Sequence, residues 1–327
     1  MLLFDKTYNI ATANYIIPLA KHGVSYSRLR QEAVKSLLVE KPFRAEVISA
    51  TEAILFFREE DLLNAINNDA MLFLIRVMLQ QDTAARIQIG YSTNWSIVSD
   101  YYYGFYLVGL LLRLCLRGTM YFDDKTKKRI RDIITDLSGK VSSIGNNCAF
   151  VAELNDEDGE YTIKLTSSSG LATHELAWDQ VDQLLKTFQR TALPNSEEYT
   201  VLRSIEEINK NLGSAYPSKL RNKVNYHPYY SVKELEKHYS RLSIHAISED
   251  WLLPILTYAG QKDETEQFRI DLVSAYIRYL QQLTFCLVNK YIEQRGRASG
   301  ILSSINKNRE NKIVLPESSI YVSVKRE

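Results

Sequence analysis

Apolar residues recur at three- and four-residue steps along most of this chain, the spacing that places them on one face of an α-helix. Breaks at Pro42, Gly118 and Pro194 separate several of these segments. The pattern predicts helices over residues 25–39, 44–58, 59–81, 94–117, 123–137, 177–191, 197–211, 231–242 and 263–294. A mainly α protein built as a helical bundle is therefore expected.

Two of the predicted helices have especially regular apolar faces. The helix over 94–117 carries bulky aromatic residues together with Gly104 and Gly109, which would let a neighbouring helix approach closely, and Gly118 suits its C-cap. The helix over 263–294 suits either the core of a bundle or the seam of a dimer. The most apolar run, 105–116, is about half the length needed to span a bilayer and contains Arg113. It predicts a buried helix and no membrane partner.

A different pattern occupies residues 139–176. Segments 149–154 and 161–165 are short and strand-like, and a turn-rich acidic segment separates them, which predicts a small β-hairpin insertion. The acidic turn lacks the ligand ladder of a calcium loop, so no metal is assigned to it. Residues 320–324 alternate like one terminal strand.

These elements predict three regions. Residues 1–90 form an N-terminal helical region, residues 91–296 form a helical domain that carries the β insertion, and residues 297–327 form a C-terminal tail with one strand.

Composition narrows the class of protein. The chain has 327 residues, of which 45% are hydrophobic and 24% charged, which is typical of a soluble globular protein. Its formal net charge is +1, so any nucleic-acid surface must be local. Cys115, Cys148 and Cys286 lie far apart without metal-ligand spacing, which indicates reduced thiols in packed positions. Residues 1–6 lack the features of a secretory signal, so a cytoplasmic protein that starts at Met1 is expected.

Common catalytic and cofactor motifs are absent from the sequence. It contains no glycine-rich phosphate loop, paired-cysteine zinc pattern, nucleophile elbow or His-Glu-x-x-His helix, so neither a cofactor nor a metal is predicted. Of five histidines, His227 alone has neighbours that suggest chemistry, because Arg221 precedes it by six residues in a polar and aromatic segment. His238 and His245 are more typical of packing or capping.

Helical geometry limits how the side chains of Arg221 and His227 can be placed relative to each other. Two side chains six residues apart on an ideal helix point about 120° apart. Pro228 disfavours α geometry at His227, so the helix is expected to end at or just before that residue. Arg221 would then project from the helix while His227 reaches from its end. The two could flank one groove, especially if a second copy supplied a mirrored pair across a two-fold axis.

The run Arg221-Asn222, followed after four more residues by His227, resembles the signature of the HEPN superfamily, an arginine and a polar residue a short distance before a histidine. Tyr229 extends the likeness to the His-x-Tyr ending of HEPN toxins, and the helix over 94–117 is similar to the one that packs beneath their site. The resemblance implies an all-helical domain that dimerises and cleaves RNA without metal.

The resemblance also implies roles for individual residues. Arg221 would stabilise charge on the phosphorane, and His227 would act as general base or acid for attack by the ribose 2′-hydroxyl. Asn222 would hydrogen-bond within the site. Tyr229 would contact RNA or be modified by a partner nucleotidyltransferase, and Lys223 and Tyr226 are further candidate RNA-binding residues. The chain departs from the compact toxins in its length, its β insertion and its lack of overall basic charge.

Two functions therefore stay open. The first is a homodimeric endoribonuclease, the effector of a toxin–antitoxin or antiviral defence system, whose partners would be RNA and a cognate antitoxin or defence protein. The second is a non-catalytic HEPN-like scaffold that binds a partner protein or a nucleotide. In the scaffold, Arg221 would pair with an acidic group and His227 would cap the helix end.

Overall fold

The computed structural model describes residues 5–22, 29–87, 93–140, 143–155, 159–168, 170–227, 229–230 and 266–295. Its helices are α1 (Asp5–Ala11), a π-helical turn (Thr12–Ile16), α2 (Ile17–Lys21), α3 (Ala33–Glu40), α4 (Glu59–Ile87), α5 (Thr93–Leu114), α6 (Asp124–Ser138), α7 (Thr173–Gln189), α8 (Glu197–Leu212), α9 (Tyr216–Tyr226) and α10 (Glu266–Arg295). Its strands are β1 (Arg44–Ser49), β2 (Glu52–Phe57), β3 (Arg117–Tyr121), β4 (Asn147–Leu154) and β5 (Tyr161–Ser167). The mainly helical class is confirmed. The predicted helix over 231–242, His238, His245 and the strand over 320–324 lie outside the described residues.

The strands form one antiparallel sheet in the order β1-β2-β5-β4-β3. The predicted hairpin of β4 and β5 is confirmed, but it is the middle of this sheet and not a separate two-stranded insertion, because β2 pairs with β5 from Glu52 opposite Thr166 to Phe57 opposite Tyr161. The predicted helix over 44–58 is wrong, since these residues form β1, a turn at 50–51, and β2. A short apolar run fits both periodicities, and pairing with a distant strand decides between them.

Helix α5 lies at the centre of the bundle and packs against α4, α7, α9, α10 and β3. Its glycines allow the close approach that the sequence predicts. A methyl group on Gly104 would lie 2.7 Å from the side chain of Ile277 in α10, and one on Gly109 would overlap the ring of Phe73 in α4. Three helices therefore meet at distances that larger residues would prevent.

The long apolar helices are packed inside the protein. Residues Glu59–Ala84 of α4 are long and apolar enough to cross a membrane, yet 67% of that stretch is buried, which fits the core of a soluble protein. The run 105–116 is buried almost throughout, as predicted. Helix α10 buries Leu272, Tyr279 and Leu283 among other residues and packs on α5, α1 and α2, so its apolar face belongs to the bundle core.

The end of α5 differs from the prediction. Gly118 does not cap the helix, which ends at Leu114, and Leu116 instead takes the left-handed conformation at φ 56°. Gly118 lies within β3, where a β-carbon would coincide with the guanidinium of Arg113. That guanidinium stacks 4.8 Å from the ring of Phe150 and donates hydrogen bonds of 3.1 Å to the carbonyls of residues 117 and 119. The glycine therefore makes room for a buried cation.

Buried polar residues on α4 hold the N-terminal segment in place. Asn67 donates from its side-chain amide to the carbonyl of residue 19 at 2.9 Å. Asn68 accepts from the amide of Arg30 at 2.7 Å, and Asp69 accepts from the amide of Ala33 at 2.8 Å, the first residue of α3. Asp69 also lies 3.7 Å from the Nε of Arg113. One carboxylate thus joins α3, α4 and α5.

Candidate functional site

Helix α9 carries most of the predicted site residues. Pro217 occupies its first turn, where its fixed φ favours helix formation and its missing N–H costs nothing. The helix ends at Tyr226, and His227 follows with φ −118° and ψ 86°, its amide donating to the carbonyl of Lys223 at 3.2 Å. The predicted end of the helix just before His227 is confirmed, while Pro228 lies outside the described residues.

Arg221 is half-buried against α5. Its guanidinium carbon lies 5.1 Å from the centroid of the Tyr101 ring and 5.7 Å from that of Tyr102. Within the described part of the chain it makes no ion pair and no hydrogen bond, and its Nε is buried without a hydrogen-bond partner. A cavity of about 20 Å³ between α5, α9 and α10, room for one water molecule, lies beside it. The cation is held by aromatic rings and remains available to an anion.

The other predicted residues lie at the surface end of α9. His227 is exposed, and Tyr226 and Tyr229 have 70% and 67% of their surface accessible. Asn222 is half-buried, and the Lys223 ammonium lies 3.9 Å from the centroid of the Tyr230 ring. The structure therefore brings these residues to one helix and its end. An ideal helix would offset positions 221 and 227 by about 9 Å along its axis and by about 120° around it.

A second histidine lies beside Arg221, and sequence reasoning missed it. His174, in the first turn of α7, has its Nδ1 2.9 Å from the hydroxyl of Tyr101. Its imidazole stacks on Phe105 with centroids 4.0 Å apart and an angle of 6° between the planes. Tyr102 meets the same imidazole edge-on at 6.2 Å. The residues around His174 in the sequence carry no catalytic spacing, and only the packing of α7 on α5 brings it to the site.

We name Tyr101, Tyr102, Phe105, His174 and Trp178 the aromatic cluster. Burial lowers the pKa of His174 below its ordinary value, and the nearby positive charge of Arg221 lowers it further. The imidazole is therefore neutral at physiological pH. It forms one hydrogen bond with the Tyr101 hydroxyl, as donor or acceptor according to its tautomer. Tyr101 and Trp178 are buried, whereas Tyr102, Phe105 and His174 are half-buried, so the cluster places aromatic rings and one neutral imidazole beside a guanidinium.

The cysteines are packed, as predicted. Cys115 and Cys148 are buried and free, and burial raises the pKa of each thiol to about 12. Thiols with such pKa values are poor nucleophiles at neutral pH. Within the described ranges, no three His, Cys, Asp or Glu side chains come together in a way that could hold a metal ion.

No family model, no curated protein and no solved structure matches the chain. The HEPN resemblance of residues 221–229 stays a prediction, and function must be argued from the geometry of the site.

Proposed function

We propose that this protein is a metal-independent endoribonuclease of HEPN type that acts in the cytoplasm as a homodimer. The observation that carries the proposal is the guanidinium of Arg221, which stacks on Tyr101 and Tyr102 without a carboxylate partner in the described part of the chain. It shares α9 with an exposed histidine, His227, at the end of that helix. A permanent cation and an imidazole that can accept and donate a proton are what cleavage by an internal nucleophile needs.

In the proposed reaction, His227 removes the proton of a ribose 2′-hydroxyl and that oxygen attacks the adjacent phosphorus. The N–H groups of Arg221 stabilise the negative charge that builds on the phosphorane oxygens. The bond to the 5′-oxygen then breaks, and this oxygen takes up the proton that His227 removed from the 2′-hydroxyl. The products are a 2′,3′-cyclic phosphate and a 5′-hydroxyl. Asn222 hydrogen-bonds within the site, and Lys223, Tyr226 and Tyr229 bind RNA.

The geometry of α9 supports a homodimer. On an ideal helix, positions 221 and 227 point about 120° apart and are offset along the axis by about 9 Å, which favours a site that two copies share. A second copy related by a two-fold axis would supply the missing partner. The proposed biological role is the effector of a toxin–antitoxin or antiviral defence system, held in check by a cognate antitoxin or defence protein.

The test incubates the purified protein with mixed single-stranded RNA in excess chelator, beside Arg221→Ala and His227→Ala. The wild type should yield 2′,3′-cyclic phosphate ends, and each variant should lose activity by at least about a hundredfold. His22→Ala is the matched control, because His22 contacts Glu59 at 3.2 Å in another part of the fold. Cleavage that persists in the two site variants, or that requires added divalent metal, would overturn the mechanism.

One observation favours the second candidate, a non-catalytic HEPN-like scaffold that binds a partner protein or a nucleotide. Arg221 is half-buried and joins α9 to the aromatic residues of α5, which is also what a structural arginine would do. A scaffold predicts that Arg221→Ala lowers thermal stability while wild type cleaves no RNA. An endoribonuclease predicts that Arg221→Lys, which keeps the charge and loses the planar fork, retains the fold and loses most activity.

A further inference from the structure

A cleft of about 210 Å³ opens beside the aromatic cluster, bounded by α3, α4, α5, β3 and the start of α7. Phe105 belongs to both features, because its ring stacks on His174 and also lines the cleft. Thr173, the residue before His174, lines it too. The cleft therefore adjoins the aromatic cluster at Phe105, and Arg221 contacts other members of that cluster, Tyr101 and Tyr102.

Most charges around this cleft are already neutralised. Arg113 and Asp69 lie 3.7 Å apart at its base, with 5% and 7% of their side-chain surface accessible. The ammonium of Lys35 lies between two carboxylates, 3.4 Å from Glu32 and 3.7 Å from Asp123. A ligand anion gains no net attraction from these groups, since Arg113 and Asp69 balance each other and Lys35 has two carboxylates beside it.

Arg76 is different. It is exposed, and its guanidinium carbon lies 5.9 Å from the centroids of both the Phe73 and the Tyr106 rings. It makes no ion pair or hydrogen bond in the described part of the chain, which leaves all its N–H donors available. Among the described charged side chains that line the cleft, it alone has no charged partner. One free guanidinium suits a ligand with one negative charge, as in a phosphodiester, better than a terminal phosphate with about two.

We propose that this cleft is a subsite for one nucleotide of a single-stranded RNA, with the phosphodiester on Arg76 and the base against Tyr121. The Tyr121 ring lines the cleft and is 50% exposed, so it offers a face for stacking. This assignment rests on the proposed RNA substrate. It places a nucleotide beside the same aromatic cluster that Arg221 contacts and adds a local cation to a chain whose net charge is only +1.

The test measures binding without chemistry. A fluorescent 2′-O-methyl RNA oligonucleotide, which has no 2′-hydroxyl to attack phosphorus, is titrated with the full chain at several salt concentrations. Arg76→Ala should weaken binding roughly tenfold and reduce the slope of log K against log salt by about 0.7, the value for one lost phosphate contact with a single strand. Tyr121→Ala should weaken binding roughly fivefold or more and leave that slope unchanged.

Arg44→Ala is the matched control. Its guanidinium also lies over an aromatic ring, 4.2 Å from the centroid of Phe56, but it belongs to β1 at the opposite edge of the sheet from β3. This variant should bind RNA as wild type does. Melting temperatures of the three variants, all at exposed side chains, should lie close to that of wild type.

Two outcomes overturn the subsite. The first is equal affinity and salt slope for wild type, Arg76→Ala and Tyr121→Ala. The second is Arg76-dependent binding of adenosine monophosphate without binding of the oligonucleotide, which would assign the cleft to a free nucleotide. Arg76-dependent oligonucleotide binding by a wild type that cleaves no RNA would support the subsite and overturn the proposed enzymatic function, so the two failures are distinguishable.

Discussion

At the scale of single residues, the pKa of His174 makes the stability of the fold depend on pH. Burial and the charge of Arg221 hold this pKa below its ordinary value in the folded protein. As pH falls through about 6.5, His174 therefore binds a proton in the unfolded chain while it stays neutral in the folded chain. The stability that His174 contributes is present above that pH and is lost below it.

We expect wild type to lose more free energy of unfolding between about pH 7.5 and about pH 5.5 than His174→Gln, which cannot titrate. Urea unfolding at the two pH values measures the difference. A companion experiment follows the imidazole by NMR in Arg221→Gln, where removal of the neighbouring charge should raise the pKa of His174. An unchanged pKa there would contradict the placement of Arg221 beside His174.

Gly118 is the second residue with a testable role, which is to leave room for the buried guanidinium of Arg113. A β-carbon at this position would coincide with the buried guanidinium of Arg113 and lie 2.7 Å from the ring of Phe150. Gly118→Ala should therefore lower the free energy of unfolding by about 3 kcal/mol or more, because the cation loses its place between the strand carbonyls and Asp69.

Gly145→Ala provides the control for Gly118→Ala in the same chemical denaturation experiment. A β-carbon there meets only the hydroxyl of Ser167, at 2.8 Å, and moving that hydroxyl gives up the hydrogen bond that it accepts from the amide of Gly145. We expect the control to cost about 1 kcal/mol, the net contribution of one hydrogen bond. Equal losses for the two variants would show that the packing of Arg113 does not require a glycine.

At the scale of elements, long periodic helices were predictable and the sheet was only partly so. Helices α4, α5 and α10 repeat their apolar residues over many turns, and their existence follows from spacing alone. Strands β1 and β2 are short, and their identity depends on pairing with β5 far along the chain. A local pattern does not contain that information.

Part of the candidate site could also be predicted from the sequence, and part could not. Arg221 and His227 are close in sequence on one helix, so their spacing was visible and the end of α9 could be predicted from Pro228. His174 and Arg76 come from α7 and α4, and only tertiary packing places them beside α5. Distant residues brought together by helix packing leave no spacing signature in one sequence.

Asp69 joins α3, α4 and α5, and its substitution tests how much this connection stabilises the fold. Its carboxylate accepts from the amides of Ala33 and Val34 at the start of α3 and faces Arg113 of α5. Asp69→Asn should lower the free energy of unfolding by about 3–5 kcal/mol, because it leaves a buried guanidinium without its counter-charge. The double variant with Arg113→Met should cost less than the sum of the two single changes, since they remove one shared interaction.

Asp61→Asn is the comparison for Asp69→Asn, because Asp61 pairs with Arg58 and Lys41 at the protein surface. We expect its loss to stay within about 1 kcal/mol. Guanidinium chloride titrations of the wild type and the four variants measure the free energies. Additive effects of Asp69→Asn and Arg113→Met would contradict a direct coupling between α4 and α5 through this pair.

At the scale of the whole molecule, the proposed dimer makes a prediction that a monomeric site does not. If each site takes Arg221 from one copy and His227 from the other, a mixed dimer of Arg221→Ala and His227→Ala subunits contains one intact site and one doubly defective site. Random reassociation makes half the dimers mixed, so activity should return to roughly a quarter of the wild-type level. Each variant alone should stay inactive.

The mixing experiment uses unlabelled RNA in chelator, after partial denaturation and refolding of the two variants together so that subunits exchange. Arg221→Ala mixed with itself is the control for refolding, and sedimentation of the wild type tests whether it dimerises. No recovery in a sample that contains mixed dimers would show that both residues act within one copy.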